Sequence, residues 1–174
     1  VFGSNKLNRS MLASLEEALA DPDPFSVSQG DVDIALSEVV APEEWKLGIA
    51  KMSEPRRRYL ACHYLEIEVN NGGFNQFLLN KGPDSAREAL AFLDERGQVI
   101  VAGLLRRAID VLPGGMLPAT YDELESILAS DETSLAIDEA HRLIDAEFHN
   151  LKPDPQLTRE RLWYVREHSE EFYK

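Results

Sequence analysis

Cysteine is almost missing from this chain: Cys62 is the single one. A lone thiol closes no intramolecular disulfide and builds no multi-thiolate metal site. Long apolar runs are missing as well, and no stretch approaches the roughly 18 apolar residues of a membrane span. The opening Val1-Phe2-Gly3-Ser4-Asn5-Lys6 lacks the basic-then-apolar order of a secretory signal. The expectation is a soluble protein of a reducing compartment, the cytoplasm. Positive charge is the other scarcity. Lys and Arg number 18 against 31 Asp and Glu, a formal net charge of −13 over 174 residues. That balance works against direct binding of nucleic acid or an anionic membrane, since both need positive charge facing them. It suits a basic partner. The hydrophobic content, 44%, is that of a folded globule, so the acidity does not signal disorder.

The shortage of cations is local. Ser10 to Trp45 holds no Lys or Arg but nine acids: Glu16, Glu17, Asp21, Asp23, Asp31, Asp33, Glu38, Glu43 and Glu44. Ala108 to His141 again holds neither cation and has eight acids: Asp110, Asp122, Glu123, Glu125, Asp131, Glu132, Asp138 and Glu139. The segment between them, Lys46 to Arg107, is near neutral at +3. Asp131, Asp138 and Asp145 recur every seven residues and can line one helix face. Carboxylates four residues apart rise about 6 Å along a helix, a spacing that a phosphate-binding surface could accept. The simpler reading of both segments is acidic, solvated helix surface.

Helical periodicity dominates. Leu12, Leu15 and Leu19 share a face of a first helix that ends at Asp21-Pro22-Asp23-Pro24. Shorter helices follow around Ile34 to Val40 and from Glu43 to Met52. Ser53-Glu54-Pro55 is a helix start, with a capping hydroxyl and a proline in the first turn. The helix it opens carries a stripe of Tyr59, Leu60, His63, Tyr64 and Ile67 and should stop at Asn70-Asn71-Gly72-Gly73. Phe74 to Leu79 restarts and closes at Asn80-Lys81-Gly82-Pro83. Asp84 then caps a helix with Ala86, Leu90 and Leu93 inward, ended by Gly97. Gln98 to Leu112 reads as helix; Val99-Ile100-Val101 alone could pass for a buried strand, and the length of the run favours helix. Thr120 with Glu123 is a capping box. Ser130 or Asp131 should cap a long helix with a core stripe of Ile137, Ala140, Ile144 and Phe148. Asp154-Pro155 opens the last, with Leu162, Trp163 and Val165 inward. The expectation is an all-α fold: one compact domain, 1–174, of about eight or nine helices.

Catalytic motifs are scarce. No phosphate-cradling Gly-rich loop, nucleophile elbow or zinc-type His pair is present. His141 and His149 are eight residues apart, too far to share a metal directly. His63 lies on an apolar stripe, which suits a hydrogen-bonded core histidine better than a base. Cys62 beside it lacks a local group to lower its pKa, Arg58 and His63 aside. Glu66, His63 and Asn70 could line one helix face, where ion pairing is the commoner use of such spacing. Neither enzyme activity nor a cofactor is expected.

The densest signal is Glu68-Val69-Asn70-Asn71-Gly72-Gly73-Phe74-Asn75-Gln76-Phe77-Leu78-Leu79-Asn80. In physical terms it is a helix end, a two-glycine reversal and a new helix anchored in the core by Phe74 and Phe77. The amides of Asn70, Asn71, Asn75, Gln76 and Asn80 can satisfy exposed backbone at both helix ends. A structural corner explains this composition; a ligand site is the alternative. The run resembles the Glu-Val-Asn-Asn-Gly-Gly-Phe-x-Gln-Phe-x-x-Asn element of a bacterial family named for DNA mimic proteins, over about residues 45–150. The resemblance implies an all-helical fold and a homodimer. It also implies that some members imitate the phosphate array of duplex DNA and so occupy a DNA-binding protein.

From resemblance and charge together, the expected function is a non-enzymatic acidic protein that binds a basic DNA-binding protein, such as a transcription factor. Its partner surface would be the acids of the two cation-free segments other than Asp110, together with Asp145. An acidic immunity or antitoxin-like inhibitor of a basic toxin is the second expectation. A small-ligand binder or enzyme built on the Asn/Gly corner is the third.

Overall fold

The helix starts at Glu54-Pro55 as expected, and the Ser53 carbonyl accepts the Arg57 amide at 3.0 Å, but the Ser53 hydroxyl, expected to cap it, is buried without a hydrogen-bond partner among the described residues. The computed structural model describes residues 52–130 and 133–172, together with Ala20. The helices expected around Leu12–Leu19 and Ile34–Val40, and the one from Glu43, lie outside them. The described residues form six α-helices and one 3₁₀ turn, with no strand among them, so the fold is all-α. They are α1 (Glu54–Glu95), α2 (Val99–Asp110), α3 (Tyr121–Leu128), α4 (Ser134–Leu151), α5 (Asp154–Glu167) and α6 (Ser169–Phe172), with the turn at Pro113–Gly115. No helix among the described residues is long and apolar enough to cross a membrane.

The chain divides into two compact units. Described residues 52–63 and 154–172 belong to one, Tyr64–Pro153 to the other. In the first, Tyr59, Leu60, Leu157, Leu162, Tyr164, Val165 and Phe172 are buried, and the Tyr59 and Phe172 rings meet edge to face at 5.7 Å. Trp163, expected inward, is half-buried, with the Arg166 guanidinium 4.8 Å from its ring centre. Arg161, by contrast, is wholly buried.

In the second unit α2 and α3 both pack on α4. Although α1 runs from Glu54 to Glu95, its backbone leaves helical angles at Gly72, Gly73 and Gly82, where the sequence predicts helix ends. The buried line along its first stretch differs from the expected one. Cys62, Leu65 and Val69 continue it, His63 and Tyr64 are half-buried, and Ile67 is exposed. After Pro83 the buried residues are Ala86, Ala89, Phe92 and Leu93, with Leu90 only half-buried. Gly97 (φ +65°) closes α1 by letting the Gln98 amide reach back to the Leu93 carbonyl at 2.7 Å.

Val99-Ile100-Val101 is the first turn of α2, which resolves the strand alternative. Val101 is buried there, while Val99 and Ile100 are exposed, as one face of a helix requires. At α3 the capping box forms as read: the Thr120 hydroxyl accepts the Glu123 amide, and the Glu123 carboxylate accepts the Thr120 amide at 3.2 Å. The cap of α4 differs from expectation. Thr133, not Ser130 or Asp131, holds the position before Ser134, and its hydroxyl donates to the Ile127 carbonyl at 3.0 Å. The core stripe of α4 is Ile137, His141, Ile144 and Phe148, with Ala140 half-buried. Histidine replaces the expected alanine because its Nε2 finds the Ala108 carbonyl at 2.8 Å, so part of its polarity is met inside the fold.

Candidate functional site

The Asn/Gly element folds as two helical stretches stitched across a break, with Glu68 as the knot. Gln76 Nε2 and Asn80 Nδ2 both donate to Glu68 Oε2 at 2.8 Å, and Lys81 Nζ lies 3.1 Å from Oε1. Glu68 precedes the glycines and its three donors follow them, so one carboxylate joins both stretches. Burial pushes the Glu68 carboxyl up, but the bonds from Gln76, Asn80 and Lys81, with the Lys81 charge, outweigh it and hold the group below its ordinary value. The Lys81 ammonium also lies 4.0 Å from the Tyr64 ring centre. Burial, and then the Glu68 charge, raise the Tyr64 phenol above its ordinary value.

The restart at Phe74 is capped from elsewhere in the fold. Asp145 of α4 accepts the Phe74 amide at 2.8 Å, filling the place of an N-cap side chain. Asp138, two turns earlier on the same helix, accepts a bond from the Asn75 side chain. The Phe74 ring is fully buried and meets Phe148 edge to face at 5.8 Å. Amides expected to satisfy helix-end backbone thus bind carboxylates instead: Gln76 and Asn80 bind Glu68, and Asn75 binds Asp138. Phe77 is fully buried as expected, while Asn70 and Asn71 are exposed. Gln76, Asn80 and Lys81 all bind Glu68, so the element forms a corner held across its break.

The acidic positions divide by what they touch. Glu16, Glu17, Asp21, Asp23, Asp31, Asp33, Glu38, Glu43, Glu44, Asp131 and Glu132 lie outside the described residues. Asp122, Glu123 and Glu125 are exposed on α3, and Asp138 and Glu139 on α4. Glu123 is occupied by its capping box. Glu139 accepts from Arg142 at 2.6 Å, a bond that holds its carboxyl below the ordinary value. Asp138 and half-buried Asp145 serve the Asn/Gly element, so the seven-residue repeat is in part a packing device. Asp110, Asp122 and Glu125 have no ion-pair partner among the described residues, and all three are exposed. Among the described acids of Ala108 to His141 they are the ones most available to a partner.

A scan against protein-family models matches residues 50–168 to a family described as DMP19-like protein, well over half of the chain. The chain belongs to the DMP19-like family. The match starts five residues after the expected Trp45 and runs 18 past Asn150, so it takes in α5 as well as the Asn/Gly element. Neither the curated proteins nor the solved structures yielded a match.

The remaining polar candidates of this DMP19-like chain have structural surroundings. Cys62 is fully buried, and the His63 ring stacks on Tyr59 at 6.3 Å between centres. His149 is exposed, its ring edge-on to Phe148. His168 packs against Tyr164 at 4.4 Å. No group of three or more His, Cys, Asp or Glu that could hold a metal occurs among the described residues. Sequence reasoning missed the roles of Asp145 and Asp138 as acceptors for the Asn/Gly element. Spacing along one helix carries no signal of a partner some seventy residues away in the chain.

Proposed function

We propose that this DMP19-like protein is a non-enzymatic acidic binder that presents carboxylates where a basic DNA-binding protein expects phosphates. Three features support the reading. The chain belongs to this family, its net charge is −13, and Ala108 to His141 holds no Lys or Arg. The observation that carries it is the set Asp110, Asp122 and Glu125, exposed and without an ion-pair partner among the described residues. Asp122 and Glu125 lie three residues apart on α3, a rise of about 4.5 Å, close to the roughly 3.4 Å per phosphate along one DNA strand. The acids between Glu16 and Glu44 would extend this surface. A homodimer would present it twice, and the cytoplasm is the compartment where such a partner works in a bacterium. A transcription factor is the favoured partner.

The test is competition. The partner is first captured from native extract and named. Labelled duplex DNA bound to it is then titrated with this protein while anisotropy is recorded. Displacement that weakens steeply with salt is expected, because screening acts on exposed charges. Binding that leaves the DNA in place would overturn the mimic reading and favour the inhibitor of a basic toxin.

A further inference from the structure

Between the end of α2 and the middle of α4 lies a shallow groove of about 340 Å³, lined by Arg107, Asp110, Val111, Ala140, Leu143 and Ile144. Its floor is apolar: Ile144 is buried, Ala140 and Val111 are half-buried, and Leu143 stands 60% exposed beside them. A leucine this open at a concave apolar surface is poorly used by the fold itself. The cation in the lining is already answered, since the Arg107 guanidinium donates to both Glu147 oxygens at 2.6 and 2.7 Å.

Asp110 is not answered. It is exposed and lacks an ion-pair partner among the described residues. It stands in the last turn of α2, where the carbonyls of Arg107, Ala108 and Ile109 already accept from the Val111 amide, His141 Nε2 and the Leu112 amide, so its carboxylate is the charge left over there. A spare carboxylate therefore borders an apolar groove whose one lining cation, Arg107, is already paired. Its complement is a cation set three or four residues from an apolar side chain. A basic amphipathic helix has that spacing.

The geometry points to this groove as the seat of a basic amphipathic helix from the protein partner. An apolar side chain of that helix packs on Leu143, Ala140 and Val111, and a Lys or Arg meets Asp110. The inference rests on the reading that the partner is a basic protein, and it adds an anchor that duplex DNA has no counterpart for. Binding should then have two parts: a charge-driven part that salt removes, and an apolar part that salt leaves.

The probe is a 16-residue peptide of Leu and Lys patterned as an amphipathic helix (the length is on the order of four turns). The full ¹⁵N-labelled chain is titrated with it, with a scrambled peptide of the same composition, and with oligolysine. The amphipathic peptide is expected to shift the amide signals of Asp110, Val111, Ala140 and Leu143. Leu143→Ser should weaken it about tenfold and Asp110→Asn about threefold. At high salt only the Leu143→Ser loss should persist. Leu143→Gln repeats the test with a second side chain, and circular dichroism checks that both variants keep their helices. Equal shifts from the scrambled peptide or oligolysine would overturn the proposal, as would an unchanged affinity in both Leu143 variants. Conversion of a dimer to a monomer by Leu143→Ser, with no peptide shifts in the parent, would assign the groove to a second copy and overturn it too. The DNA competition separates this inference from the reading beneath it. Displacement of DNA unaffected by Leu143→Ser removes the groove and keeps mimicry; a seated peptide with DNA left in place removes mimicry and keeps the groove.

Discussion

A methyl group on Gly73 would stand 2.2 Å from Asp145 Oδ2, and the backbone there has φ +84°, which side chains rarely adopt. Gly73→Ala therefore meets two penalties at once, backbone strain and a displaced cap. The expected loss of stability is roughly 2–4 kcal/mol, read as a lower urea midpoint with an unchanged slope. Gly72 is a different case, since its φ of −161° is open to any residue. Its added Cβ would meet Gln76 Oε1 at 2.0 Å, the far end of a flexible side chain. Gly72→Ala should cost less than Gly73→Ala, and the same urea curves decide it. Glu68 provides the pH-dependent term. Its carboxyl is held below the ordinary value, so its contribution is full above the unfolded-state pKa and fades as pH falls through the lower folded one. Urea midpoints measured from pH 6 down to pH 3 should fall in the parent. Part of that fall should vanish in Glu68→Gln, which starts about 2 kcal/mol less stable at pH 6.

Among the elements, α3 is the simplest to perturb. Eight residues long, it relies on its capping box and on Leu124 and Leu128 inside. Thr120→Ala should cost about 1 kcal/mol, and hydrogen exchange should show the loss confined to amides near Glu123. At this scale much of the fold could be read from residue order, because glycines, prolines and caps act locally. Gly72-Gly73, Gly82-Pro83, Gly97 and the Thr120–Glu123 box all mark boundaries that the structure has. Where the reading slipped, the missing information was tertiary. Ala140 fits a core stripe by spacing, but His141 is buried because a carbonyl of α2 waits for it. Ile67 fits the stripe of α1, yet that face turns outward. The candidate site shows the same division. The Asn/Gly element was visible as a corner, while its stitching through Glu68 and Asp145 depends on donors that only folding brings together.

For the whole molecule the question is which part of the −13 is free to act on a partner. Glu123, Asp138, Glu139, Asp145 and Glu147 already have partners inside the described fold, so counting acids overstates the field available outside. Pairing does not remove all of that field, because an ion pair such as Arg107–Glu147 is neutral only at a distance. It does mean that removing a paired acid breaks a bond of the fold, whereas Asp110, Asp122 and Glu125 make no side-chain ion pair among the described residues, so their removal acts mainly on the field. A triple variant, Asp110→Asn with Asp122→Asn and Glu125→Gln, should keep the parent's urea midpoint and circular dichroism. If the carboxylates act as phosphate surrogates, its affinity for the basic partner should fall roughly tenfold or more at low salt. The loss should shrink as salt rises, because screening removes from the parent what the substitutions remove from the variant. The two affinities should therefore converge toward one value at high ionic strength, and the variant's salt slope should be the shallower. Parallel slopes with a constant offset would instead assign these three residues to direct, short-range contacts. Identical affinities at every salt concentration would move the binding surface away from α3 and the end of α2, to acids elsewhere in the chain.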